Sequence, residues 1–328
     1  MFNFKKPTAE QVKMLRATAS SNAAEAIEHR QAFAALVEGA WKAGVLEPDT
    51  LTGIFDRISL EAGSDAKFPF DLYSPAEQGF YKAFVCPKEG AIPDQVVEGD
   101  EIYVPTYKIA NSISWSIDYA RDARWDIIAR ALNVFANGFT QKMNDDGWHV
   151  VLKAAVTNTV ISDTVATSGI FTKQLVLNLM TGIKRLTGGR NSLVTDIFVS
   201  PEGLADIRNL TNTSVDDATL RSLILTPGLE VPSLFGVKLR ELQELGSKQE
   251  YQTYLTGTLS ASLASGGDNE LCVALDLKNR DSFVMPVRED MKMFDDPTLH
   301  RSARAGVYGW MELGFAALDT RRALLGSF

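Results

Sequence analysis

The chain has 328 residues, 45% of them apolar and 23% charged, and a formal charge of −8. That balance is the composition of a soluble globular protein able to bury a sizeable core, and no apolar run approaches the roughly 20 residues of a membrane span. The acidic surplus argues against a protein built to grip nucleic acid, since phosphate contacts call for a basic one.

The N-terminus, MFNFKKPTAEQ, has no apolar segment behind its lysines and does not read as a secretory signal. Residues 1–63 read as a helical N-terminal arm. Thr8 with Gln11 matches a capping box. The segment Ala23–Trp41 places Ile27, Phe33, Leu36, Val37 and Trp41 on one stripe, with Gly44 as a stop. Such a stripe needs a neighbouring subunit or another long helix to lie against.

Residues 64–105 change character. FPFDLYSPAEQGFYKAFVCPKEGAIPDQVVEGDEIYVP holds five prolines and three glycines, with short β-prone runs at Phe80–Val85 and Glu101–Val104. This reads as an extended two-stranded arm. Glu89, Asp94, Glu98, Asp100 and Glu101 face only one base, Lys88, between Cys86 and Pro105. An isolated hairpin is marginal in water, so the arm is expected to be ordered by packing on another surface.

In residues 106–157, Ile113, Trp115 and Ile117 alternate with Ser114 and Ser116, as in a half-buried strand. Asp122 stands where the N-cap of the next helix belongs. Ile128, Leu132, Phe135, Phe139 and Met143 then recur at helical spacing. The helix they predict is long enough to act as a spine.

Residues 158–281 begin with a polar, β-branched linker, Asn158–Ile170, and continue as a compact α/β region. A helix is predicted over Lys173–Leu186, with Leu175, Leu179, Ile183 and Leu186 on one face and Gly188-Gly189 ending it. Asp196–Val199 reads as a strand, and Ser200-Pro201 starts a helix with a capping hydroxyl and a proline in its first position. A short helix over Asp217–Leu225, a turn into a strand over Phe235–Leu239 and an exposed loop over Gly257–Asn269 follow. In residues 282–328, Phe283, Met285 and Val287 alternate, as do Met291 and Met293. After the turn Asp295-Asp296-Pro297, Val307, Met311, Leu313 and Phe315 fall on one face of a second long strand.

Catalytic signatures are absent from the sequence: no G-x-S-x-G, no phosphate-cradling loop, no G-x-G-x-x-G. His29, His149 and His300 have no metal-ligand spacing. Gly188-Gly189-Arg190 follows a helix instead of opening one, and Asp145-Asp146 lacks a third oxygen ligand nearby. Cys86 and Cys272 cannot form a disulfide framework and read as buried thiols of a reducing compartment. The residues argue for no catalytic, cofactor or metal site.

The order of helical arm, β arm, strand, spine helix, α/β region and returning strands resembles the major capsid proteins of tailed bacteriophages. Their Hong Kong 97 fold is shared with encapsulin shells. The resemblance is carried by the junction Ala110–Asp122 with Asp126-Ile127-Ile128, by the ending Arg304–Asp319, and by IFVSPEGLADIRNL and LFGVKLREL between them. It implies an α+β fold with a β arm (the E-loop, residues 64–105), a peripheral domain (106–157 and 282–328) and an axial domain (158–281). It implies a subunit that assembles as hexamers and pentamers into an icosahedral shell around double-stranded DNA in the host cytoplasm. Scaffolding, portal and decoration proteins would be partners, with no cofactor, membrane or enzymatic role. Some family members crosslink an arm lysine to an asparagine. Lys88 lies in the arm, but no asparagine here matches. An encapsulin-type compartment and an α/β enzyme are the alternatives. The arm acids Glu98, Asp100 and Glu101 are expected to face a neighbour's Arg301, Arg304, Arg321 and Arg322.

Overall fold

A computed structural model of the chain describes residues 9–20, 24–34, 50–61, 63–70, 100–122, 124–162, 170–187, 192–208, 233–261, 263, 270–278 and 282–328. In chain order the elements are α1 (Ala9–Ala17), α2 (residues 24–34), β1 (Asp56–Ser59), β2 (Lys67–Phe70), β3 (Asp100–Tyr103) and β4 (Tyr107–Ser116). Next come α3 (Ile117–Arg121), α4 (Trp125–Thr157), β5 (Ile161–Ser162), α5 (Lys173–Leu186), β6 (Asp196–Val199) and α6 (Pro201–Arg208). The last are β7 (Ser233–Leu234), β8 (Val237–Glu241), β9 (Leu271–Leu275), β10 (Phe283–Asp295), β11 (Arg304–Leu313), β12 (Ala316–Ala317) and β13 (Ala323–Ser327). The predicted runs over Phe80–Val85 and Asp217–Leu225, and the capping residue Thr8, lie outside the described residues, as does Cys86. The chain forms two compact units, Met1–Ala66 with Tyr103–Gly147 and Met285–Phe315, and Lys67–Ile102 with Trp148–Val284 and Ala316–Phe328.

In the first unit, β11 pairs antiparallel with β4 along its whole length, from Arg304↔Ser116 to Leu313↔Tyr107, and with β10 on its other side. The order is β1-β10-β11-β4. Gly306 makes this pairing possible, because a Cβ there would stand 2.6 Å from the Ile113 carbonyl oxygen. The inward set is the expected one: Met291, Met293, Val307, Met311 and Leu313 are all buried. The link between the long strands is fuller than the predicted turn. It contains a 3-10 helix, Pro297–Ser302, started by Asp296, whose side chain accepts from the Thr298 amide at 3.0 Å.

The spine helix α4 has 33 residues and so spans about 50 Å. Ile128, Leu132, Phe135, Phe139 and Met143 are buried along it, as their spacing requires. Its start differs from expectation. Asp122 is the C-cap of the short helix α3, whose own N-cap is Ser116, accepting from the Asp118 amide. Ile117 therefore opens a helix instead of extending the strand. The Ser-x-Asp spacing captures the free amide first, and α4 begins three residues after Asp122. In α2 the buried row is Ala26, Arg30, Phe33 and Ala34, whereas Ile27 is 46% exposed. Arg30 donates to the Thr18 carbonyl at 2.9 Å, and Phe33 meets Trp125 edge-on at 6.1 Å. Those two contacts set the facing of the helix against the pull of Ile27.

The second unit is built on a six-stranded sheet in the order β5-β13-β9-β6-β8-β7. Every residue of β6, β9 and β13 is buried, so these strands read as continuous apolar runs covered on both faces. Helix α5 has the predicted bounds. Thr172 caps it by accepting from the Leu175 amide at 3.2 Å, and Leu175, Val176, Leu179 and Ile183 enter the core. Helix α6 starts as predicted, with the Ser200 hydroxyl accepting from the Gly203 amide at 3.1 Å and Pro201 in first position. The Asn158–Ile170 linker supplies a strand as well: β5 pairs in parallel with β13.

The C-terminal residues are a correction to the sequence reading, which grouped all of 282–328 with the long strands. β13 lies inside the six-stranded sheet, paired from Ala323↔Leu275 to Ser327↔Leu271. A closing run of Ala323, Leu324, Leu325 and Gly326 has no polar alternate for an open sheet face, so it seats where both faces are covered. Gly326 is needed there, since a Cβ would stand 2.6 Å from the sulfur of Cys272.

Candidate assembly surfaces

The base of the β arm is the two-stranded β2–β3 ribbon. Lys67 and Glu101 face each other across it at 3.7 Å, both more than half exposed. Such a pair contributes about 0–1 kcal/mol. Where the strand leaves the arm, the Val104 amide donates to the Ala66 carbonyl at 2.9 Å and the Val104 side chain is 2% exposed. Tyr103, between them, is 56% exposed. Lys88, Glu98 and the side chains of Asp100 and Arg301 lie outside the described residues.

The basic residues do not form one set. Arg304 is exposed at the first position of β11 in the first unit. Arg321 and Arg322 belong to the second unit and are bound to carboxylates of their own chain. Arg321 Nε donates to Asp319 at 2.8 Å, and Arg322 donates to Asp276 and, at 3.3 Å, to Asp319. Asp276 is fully buried and the Arg322 side chain is only 11% exposed. Read as a sequence, the pair Arg321-Arg322 is indistinguishable from a surface patch. The carboxylate that buries Arg322 stands 46 residues away.

The sequence reading followed the inward residues of the long strands and left their outward partners unread. Phe294, Tyr308 and Trp310 stack on the opposite face of β10 and β11, with ring centroids 4.7–5.8 Å apart. Lys108 of β4 stands over the Trp310 ring at 5.8 Å. The Trp310 indole N–H donates to Glu289 at 3.0 Å, and Lys292 donates to the same carboxylate. Those two bonds, the lysine's the larger, hold the Glu289 carboxyl below the ordinary carboxylate range. Tyr107 is 40% exposed and donates to Asp146 at 2.8 Å, while Lys142 bridges Asp146 at 2.7 Å. Burial, then that carboxylate, pushes the Tyr107 phenol well up. Asp146 is thus a tie between β4 and α4. The signal available in the sequence was the alternation Phe294, Tyr308, Trp310 at even positions, complementary to the methionines and valine at odd ones.

Among the described residues, no group of three His, Cys, Asp or Glu side chains could hold a metal ion, and no helix is long and apolar enough to cross a membrane. His149 stacks on Tyr254 at 4.0 Å, and Cys272 is buried.

Residues 99–320, more than half of the chain, match the model of the phage capsid protein family. No curated protein matches by sequence. Solved structures resemble the chain over most of its length. The capsid of cyanophage P-SCSP1u matches with a TM-score of 0.57 and 14% identity over 85% of this chain and 87% of that one. The capsid of the Myoviridae phage XM1 matches at 0.55 and 11%, over 85% and 90%. The head of Helicobacter pylori bacteriophage KHP40 matches at 0.54 and 8%, again over 85% and 90%. These likenesses fix the fold as the Hong Kong 97 type, with its spine helix and returning long strands. The chain belongs to the phage capsid protein family and is a major capsid protein, a structural subunit of the phage shell.

Proposed function

We propose that the chain assembles as hexamers and pentamers into a closed icosahedral shell that encloses double-stranded DNA without sequence-specific binding. The carrying observation is the family match across residues 99–320, which takes in the spine helix and both long strands. In this reading residues 106–157 and 282–328 serve as the peripheral domain and residues 158–281 as the axial domain, whose sheet takes in β13, and neither carries out catalytic turnover. Closed symmetry multiplies modest contacts into a stable shell. The charge of −8 is compatible with packaged DNA whose phosphates are neutralised by counterions. Assembly takes place in the host cytoplasm, with scaffolding, portal and decoration proteins as partners.

The β arm overlaps a neighbouring subunit in this reading, with Glu98, Asp100 and Glu101 directed to the Arg301–Arg304 segment. Arg321 and Arg322 contribute internally. Purified protein is expected to give closed particles in negative-stain microscopy, with DNA recovered from particles made in infected cells. A stable monomer or dimer under every salt condition tried would sink the shell reading. Replacing all three arm acids with Lys should leave a folded subunit that fails to close shells. Normal shells from that variant would move the anchor to apolar residues such as Ile102 and Val104.

A further inference from the structure

The hairpin β7–β8 turns through two residues, Phe235 and Gly236, between the pairs Leu234↔Val237 and Ser233↔Lys238. Their φ values, 54° and 81°, are those of a type I′ turn. That turn asks for Asn, Asp or Gly in its first central position. A phenylalanine there is strained, because its Cβ crowds the backbone in the left-handed region. Within its own chain Phe235 gains little in return, because it is 46% exposed. A second large apolar side chain hangs from the same end of the sheet. Leu193 is 45% exposed and stands three residues before Asp196, and Phe235 stands three residues before Lys238, the residue paired with Asp196. The neighbouring apolar side chains Val194, Leu234 and Val237 are by contrast 0–2% exposed.

We infer that the β7–β8 tip is a subunit–subunit contact, in which Phe235 with Leu193 seats on a second copy of this chain. The inference rests on the shell reading above. β7 is an edge strand of only two residues, too short to template another strand, so the contact works through side chains. Two side chains fall far below the roughly 1,600 Å² of a stable pairwise interface. They suit a contact that is weak alone and repeated around a closed assembly. A subunit built this way stays soluble at low concentration and gains from the strained aromatic only in the shell.

The test compares full-length wild type with Phe235→Asn, Phe235→Leu and Leu193→Ser by light scattering during reassembly and by the melting temperature of free subunits. Asparagine relaxes the turn and removes the apolar knob. Phe235→Asn should melt no lower than wild type, yet need a roughly tenfold higher concentration to form shells. Phe235→Leu, which keeps strain and apolarity, should assemble near the wild-type threshold, and Leu193→Ser should raise it. An unchanged threshold in both Phe235→Asn and Leu193→Ser overturns the contact. So does a lower melting temperature for Phe235→Asn, which would assign the ring to the subunit's own fold. Wild type that never forms shells would instead sink the shell reading.

Discussion

The two sheets of this subunit solve opposite problems. In the second unit, β6, β9 and β13 are buried at every position, and Arg322 is held inside between Asp276 and Asp319. In the first unit, β11 alternates buried with half-exposed residues, and its open face carries Phe294, Tyr308, Trp310 and Lys108. A sheet covered on both faces spends its side chains on its own stability. A sheet covered on one face keeps a surface that other molecules can meet.

The sharpest way to break this contrast is to truncate one aromatic in each sheet. Phe198, 3% exposed and packed against Trp148 at 4.7 Å, should cost about 3–5 kcal/mol as Phe198→Ala, read from denaturant unfolding. A loss under about 1 kcal/mol would mean that β6 is not covered on both faces. Arg322→Ala leaves Asp276 buried and uncompensated, and should cost a similar amount, about 3–5 kcal/mol. If that variant unfolds like wild type, the arginine belongs with the surface residues after all.

On the open face, Phe294→Ala should cost less, about 1–2.5 kcal/mol, the stacking of a ring 36% exposed plus its partial burial. A loss as large as that of Phe198→Ala would show that this face is covered within the subunit. The smallest effect is a slope. Burial raises the pKa of Glu270; Ser200's hydrogen bond opposes that rise, and Glu202 and Asp206 add to it. The folded carboxyl therefore keeps its proton to higher pH than the unfolded one. Stability is greater below the ordinary carboxylate value and falls as the pH climbs through the raised one. Glu270→Gln should flatten the melting temperature at pH values just above the ordinary carboxylate range. An unchanged slope would assign the pH dependence to other groups.

Much of this contrast was legible before any coordinates. The bounds of α5 and β6, the Ser200-Pro201 start of α6, the inward row of α4 and the inward methionines of β10 all follow from short windows. Caps, 3.6-residue stripes and period-2 alternation act between residues a few positions apart, so the sequence by itself determines them. The tertiary structure alone decided what depends on distant partners. It placed β13 beside β9, turned Ile27 outward in favour of Arg30 and Phe33, and made Asp122 the end of α3. It bound Arg321 and Arg322 to carboxylates, and it left Phe235 exposed on a strained turn. Which face of an element is covered, and whether a charge is paired, depends on segments tens to hundreds of residues away that no local window contains.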